Sequence, residues 1–236
     1  IHNNIGLAAM TEDLDHSIGL IMKKLRELEI EDNTYIIYSS DNGSVPIIVP
    51  RRYYEQSYNY PLSRGKWDAM EGGIRVPFII SGPNIEEYSY NATNISFSDL
   101  LPTIIDIISS KKVKSKSLDG GSFKDLLFGK SKKIKRSTKG LIFHVPYENG
   151  IALKRAHSAI IQDNYKLIKF YDNNEIQLFD LEKDIFEKND LSKEKFKTAK
   201  RLEASLMDYL STVKAPKWKT GITWKQKTLK KINSFH

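Results

Sequence analysis

Apolar residues recur three or four positions apart between residues 5 and 29: Leu7, Met10, Leu14, Ile18, Ile21, Leu25 and Leu28. That period marks one face of a helix and predicts a long helix packed on a sheet. Glu12, Asp13 and Asp15 come early in it and Lys23, Lys24 and Arg26 late, as the helix dipole favours. A polar turn ending in Asp32-Asn33 follows. The run Tyr35-Ile36-Ile37-Tyr38-Ser39-Ser40 then changes to β-branched and aromatic residues, which suit a buried strand. Helix, tight turn and buried strand form half of a βαβ unit, so a parallel sheet is expected. Val76 to Ser81 reads as another strand, with Pro77 near its start and Gly82-Pro83-Asn84 closing it. Ser96 or Ser98 can cap a helix reaching about Ser109, with Leu100, Leu101, Ile104, Ile105 and Ile108 inward and Pro102 tolerated in the first turn.

After Gly140 the pattern shortens. Residues 141–145, 156–162, 165–171 and 175–180 are apolar-rich segments, and Asp163-Asn164 and Asp172-Asn173-Asn174 separate the last three. Asp and Asn tolerate left-handed turn geometry, so a small antiparallel sheet is expected. A helix over about 193–213 would cover one face with Phe196, Ala199, Leu202, Leu206, Tyr209 and Leu210. The expected division is an α/β part over 1–110, a connecting loop over 111–140, a sheet-and-helix subdomain over 141–215 and a basic tail over 216–236.

Composition changes this picture only locally. The chain is 40% hydrophobic and 28% charged, an ordinary globular mixture, and no apolar window is long enough to predict a membrane span. The start, Ile1-His2-Asn3-Asn4, lacks a basic-then-apolar leader and begins in mid-pattern, so a fragment or processed product is expected. The absence of cysteine excludes disulfides, thiolate metal sites and a cysteine nucleophile within this chain. The net charge of +8 suggests an anionic partner. Much of it sits between Lys111 and Lys139, where eleven basic residues face only Asp119 and Asp125. Such a serine-punctuated stretch reads as a solvated loop, with polyanion contact as the sharper alternative. No recognition-helix or RNP-type aromatic pattern points to nucleic acid.

Candidate chemistry begins at Asp41-Asn42-Gly43, immediately after the first predicted strand. Ligands bind at the carboxyl edge of open α/β sheets. A carboxylate beside a carboxamide oxygen there makes a half-site for calcium or magnesium, or else a plain Asx/Gly turn. A proline- and tyrosine-rich loop leads to Arg64-Gly65-Lys66-Trp67-Asp68-Ala69-Met70-Glu71-Gly72-Gly73-Ile74-Arg75-Val76-Pro77. Paired glycines there allow close backbone approach, and Arg75 can pair with Glu71 or Asp68.

Together with Ser39-Ser40-Asp41-Asn42-Gly43, that segment resembles the type I, formylglycine-dependent sulfatases of the alkaline-phosphatase-like superfamily. The resemblance extends to residues 9–19, to Phe97-Ser98-Asp99-Leu100-Leu101-Pro102-Thr103, to residues 158–168 and to residues 178–184, in order. It implies the C-terminal part of a central mixed sheet with flanking helices, followed by a small antiparallel sheet and a C-terminal helix. It implies that Asp41 and Asn42 are two oxygen ligands of an active-site Ca2+, and that Lys66 is a catalytic, sulfate-binding residue. His144, in Phe143-His144-Val145-Pro146-Tyr147, matches a position where relatives carry a second histidine in place of Tyr147, which implies a packed or substrate-rim role, with a catalytic one as the alternative. The implied reaction is hydrolysis of a sulfuric ester on a sulfated carbohydrate or aryl sulfate, in a periplasmic or secreted protein. The family's nucleophile comes from a C/S-x-P-S-R-type motif oxidised to formylglycine. Here the nearest match, Ser44-Val45-Pro46, continues Ile47-Ile48, so that nucleophile is expected upstream and the fragment alone is expected to be inactive. The alternatives are a phosphatase or phosphodiesterase of the same superfamily, and a non-catalytic fragment that binds sulfated glycans.

Overall fold

A computed structural model of the chain describes residues 5–45, 59–109, 118–148 and 155–217. In order, the elements are α1 (Ile5–Glu27), β1 (Ile36–Ser39), α2 (Glu71–Ile74), β2 (Phe78–Ser81), α3 (Leu100–Ile108), α4 (Lys124–Leu127), β3 (Leu141–Val145), β4 (His157–Gln162), β5 (Tyr165–Phe170), β6 (Ile176–Asp180) and α5 (Phe196–Thr212). Strands β1 and β2 pair, and the other four form a sheet in the order β3-β4-β5-β6. The fold is α/β, as expected. Two compact units emerge: one takes the described residues of 1–19, 39–78 and 142–236, the other those of 20–38 and 79–141. The described residues of 39–78 thus group with the later sheet. Beyond Lys217, the tail lies outside the described residues.

The first unit is built on the four-stranded sheet. Strands β4 and β5 run antiparallel with Ile160 opposite Leu167, and β5 and β6 run antiparallel with Leu167 opposite Leu178. Asp163 and Asn174 take positive φ values of 54° and 58° at the two connections, the role their side chains predicted. Successive strand residues point to opposite faces. On one face Ile160, Leu167 and Leu178 pack with Ala199, Leu202, Leu206 and Leu210 of α5 into one buried cluster. Phe196, expected inward, is 58% exposed, since it opens the helix beyond that cluster. The other face carries His157, Ala159, Ile161, Lys166, Ile168, Phe170 and Phe179, all buried. An antiparallel sheet buried on both faces needs a second cover, and part of it comes from the segment around Glu71.

In the second unit, the predicted helix α3 forms, but its inward face is not the predicted one. Pro102 and Thr103 are buried, whereas Leu101, Ile104 and Ile108 are exposed. Polar bonds set this rotation. Thr103 Oγ1 donates to the Asp99 carbonyl at 2.6 Å and accepts the Phe123 N–H at 2.9 Å. Ser96 and Asp99 make a reciprocal capping box at the helix entry. The fully buried Asp99 carboxylate also takes two bonds from Arg136, at 2.8 and 2.7 Å, and the Gly121 N–H at 2.9 Å. Residues 118–140, expected as part of a solvated basic loop, are therefore anchored: Phe123 and Leu126 are buried, and Arg136 neutralises an acid. Helix α1 forms over nearly its predicted span, yet none of its residues is buried. Its period fixed which residues share a face, not the surface that covers them.

Candidate active site

Strand β1 ends at Ser39, and Asp41 and Asn42 follow in the bend beyond it. Asp41 is exposed and Asn42 half-buried. The Asn42 side-chain amide donates to the Asp41 carboxylate, so the two side chains lie against each other in the bend. Ser40 Oγ donates to the Asn42 carbonyl at 2.9 Å and fixes the bend. A hard cation such as calcium takes six to eight oxygens, and this pair can supply two of them. Among the described residues no group of three His, Asp or Glu side chains forms a fuller metal site.

Gly43 then crosses the glycine-rich segment at close range. Its N–H donates to the Gly73 carbonyl at 3.0 Å, and a Cβ here would lie 1.7 Å from the Gly72 carbonyl oxygen. Only glycine fits. One residue on, Ser44 binds the lysine loop: its carbonyl accepts the Lys66 N–H at 2.9 Å. Asn59 staples the same place, accepting the Ser44 N–H and donating to the carbonyls of Ser44 and Arg64, each at 2.9 Å. Thus the structure brings the Asp41-Asn42 bend and the Lys66 loop together through their backbones. Sequence reading gave Asn59 no role. Its bonds are to main-chain atoms, so no side-chain pattern announces them.

The conformation of the lysine loop is itself unusual. Arg64 and Trp67 have φ values of 59° and 76°, so left-handed non-glycine residues stand on both sides of Lys66. Each costs about 1–2 kcal/mol relative to ordinary backbone, and such strain persists only where surrounding contacts over-determine it. Lys66 is half-buried, with its ammonium 5.5 Å from the centre of the Trp67 ring. Asp68 is engaged by Arg64 at 2.8 Å. Arg75 pairs with Glu71 at 2.5 Å, one of the two pairings the sequence offered.

Glu71 opens α2 and belongs to a buried charge cluster that the sequence did not reveal. Lys166 of β5, fully buried, lies 2.9 Å from Glu71 Oε1 and 2.7 Å from Glu187 Oε1. The Glu187 contact is an ion pair, and among the described residues that oxygen takes no hydrogen bond. Glu187 Oε2 accepts the Glu71 N–H at 2.8 Å. Burial pushes the Glu71 carboxyl up, but Lys166 and then Arg75 outweigh it and hold it below the usual value. Burial also pushes Glu187 up, and there it prevails over the single shared lysine.

His144 is placed elsewhere on the sheet. Its Nε2 bonds the Pro216 carbonyl at 2.7 Å, so Nε2 carries a proton. In the neutral ring Nδ1 then accepts from Ser158 Oγ at 2.6 Å, and Ser158 accepts from the Tyr171 hydroxyl at 2.6 Å. Ser158 shares the strand face of Ile160, the face that packs on α5. No described hydrogen bond joins His144 to Asp41, Asn42 or Lys66.

Two family models match the chain: "Sulfatase" over residues 7–110, and "N-sulphoglucosamine sulphohydrolase, C-terminal" over residues 66–216. The chain belongs to the sulfatase family. A sulfatase of Formosa agariphila is 28% identical over 80% of this chain and 36% of its own length. An N-acetylgalactosamine-6-O-sulfatase of Bacteroides thetaiotaomicron is 26% identical over 77% of this chain and 37% of its own length. Among solved structures, Ps i-CgsB in complex with k-i-k-neocarrahexaose matches at a TM-score of 0.71 and 23% identity, covering 97% of this chain and 48% of that one. A second, of a protein in complex with its substrate D-glucosamine-2-N,6-O-disulfate, matches at a TM-score of 0.65 and 23% identity, over 86% of this chain and 39% of that one. This sulfatase chain therefore spans less than half the length of these relatives. No helix among its described residues is long and apolar enough to cross a membrane.

Proposed function

We propose that this chain supplies one wall of a sulfuric-ester hydrolase site, acting on a sulfated carbohydrate, with Asp41 and Asn42 as calcium ligands and Lys66 as the sulfate-binding catalytic residue. The observation that carries the reading is the backbone junction between the Asp41-Asn42 bend and the Lys66 loop, made by the Lys66 N–H on Ser44 and the Gly43 N–H on Gly73. It sets a carboxylate–carboxamide pair and an ammonium on two adjoining loops. A bound calcium ion would offset negative charge on the sulfate oxygens and on the leaving oxygen. Lys66 is a compact point charge suited to the same task, and the Trp67 ring beside it limits where the ammonium can go. Glycines 43, 72 and 73 let the loops approach closely enough to share one substrate group.

The formylglycine implied by the resemblance does not fit the residues of this chain. The sequence contains no cysteine. Ser44 is held by its backbone to Asn59 and Lys66. No residue of this chain therefore fits as the source of that nucleophile. His144 serves as a rim contact, because a substrate competes with Ser158 and Pro216 for its two nitrogens. The names of the Bacteroides relative and of the disulfate-bound neighbour support a sulfated sugar as the substrate class.

The test is sulfate release from sulfated sugars and an aryl sulfate by the full-length protein, with calcium present. Lys66→Ala and Asp41→Ala should each lower kcat/KM by about a hundredfold or more, the scale of one lost charge-stabilising group. His144→Ala should change it less than tenfold. Undiminished turnover in both the lysine and the aspartate variant refutes the site. Preference for a phosphate ester over every sulfate ester would move the chain to the phosphatase alternative.

A further inference from the structure

We propose that His157, together with Lys166, is a positioning residue for the sulfate-binding lysine: one face of the four-stranded sheet grips residues 69–71 and thereby fixes how Lys66 is presented. This inference rests on the reading of Lys66 given above.

The grip has two parts. His157 is fully buried on β4. Its Nδ1 donates to the Arg155 carbonyl at 2.7 Å, which fixes the tautomer, and its Nε2 accepts the Ala69 N–H at 3.0 Å. Two residues along, Lys166 and Glu187 hold Glu71 by its side chain and its backbone N–H. Ala69 is 1% exposed and Glu71 1% exposed, so both anchors are shielded from water. The loop between the anchors and Gly65 contains the left-handed Trp67, a conformation that would relax if its downstream end were released. A buried histidine filling a core position does not require an acceptor aimed at a backbone N–H three residues from Lys66.

The arrangement is sensitive to protonation. A proton on Nε2 would remove the acceptor from Ala69. Burial disfavours that proton, as do the nearby Lys166 and Arg64, while the Arg155 carbonyl and Asp68 favour it; burial dominates, and the pKa is lowered. The Phe170 ring, 5.9 Å away, faces His157 without charge.

Three full-length variants test the proposal. His157→Phe keeps the volume and loses the acceptor. His157→Gln keeps a carboxamide oxygen near the Nε2 position and does not titrate. Lys66→Ala serves as the reference for complete loss. Sulfate-ester turnover is measured against pH, and hydrogen exchange is followed at the Ala69 amide. His157→Phe should lower kcat/KM at least tenfold and speed Ala69 exchange at least tenfold, and His157→Gln should restore most of both. The wild type should lose kcat/KM as pH falls through the folded pKa of His157, which burial holds below the ordinary imidazole value, and His157→Gln should remove that part of the acid limb. If the Phe variant does not fold, the Gln pH profile decides alone: an acid limb identical to wild type overturns the proposal. So does a folded His157→Phe with wild-type kcat/KM. A wild-type protein with no sulfate-ester turnover defeats the sulfatase reading instead, which separates the two failures.

Discussion

At Gly43 a single added carbon would meet the Gly72 carbonyl oxygen at 1.7 Å. The neighbour is backbone, so relief requires moving one loop away from the other. Gly43→Ala should therefore destabilise the full-length protein by about 1–3 kcal/mol, the range for forced overpacking, and should lower turnover as well. Thermal unfolding followed by circular dichroism, beside a sulfate-release assay, checks both. Asp41, Asn42 and Lys66, the side chains proposed to carry chemistry, stand out in the sequence because their types and order are distinctive. Asn59 was not, since it binds Ser44 and Arg64 through main-chain atoms. Lys166 was the hardest to read. In Tyr165-Lys166-Leu167-Ile168-Lys169-Phe170 it looks like a lysine on a solvent-facing side of a strand. Only the approach of Glu71 and Glu187, far away in sequence, makes its burial tolerable.

Among the elements, α5 and the strands it covers were read almost as they stand, because Asp and Asn mark the turns and a 3.6-residue period marks the helix. Leu202 and Leu206 are fully buried in that contact. Replacing either with alanine should cost about 2–5 kcal/mol, measurable as a shifted midpoint in urea with little change in slope. Faces were less legible than elements. α1 and α3 form where expected, but polar bonds from Thr103 and Asp99, invisible to apolar periodicity, decide which side of α3 turns inward. β4 brings a pH dependence of its own. The folded pKa of His157 lies below the ordinary imidazole value of 6.5, so the unfolded chain binds the proton more readily. Stability is fully present above 6.5 and should fall as pH drops from there through the lowered folded value. Urea midpoints across that window should fall in the wild type and change less in His157→Gln.

For the whole molecule, the +8 charge is less available than its sum suggests. Arg136 is committed to Asp99, and Lys124 to the Asp106 carbonyl. Lys66 is half-buried, on a loop whose backbone bonds Ser44, two residues past the Asp41-Asn42 bend. The central claim is that these three residues serve one substrate group. The most direct measurement is a crystal structure of the full-length protein grown with calcium and soaked with sulfate or a sulfated sugar. Anomalous scattering should place calcium on the side-chain oxygens of Asp41 and Asn42, with a sulfate oxygen within hydrogen-bond distance of Lys66 Nζ. A calcium ion bound without Asp41 and Asn42, or a sulfate group seated away from Lys66, would contradict the account.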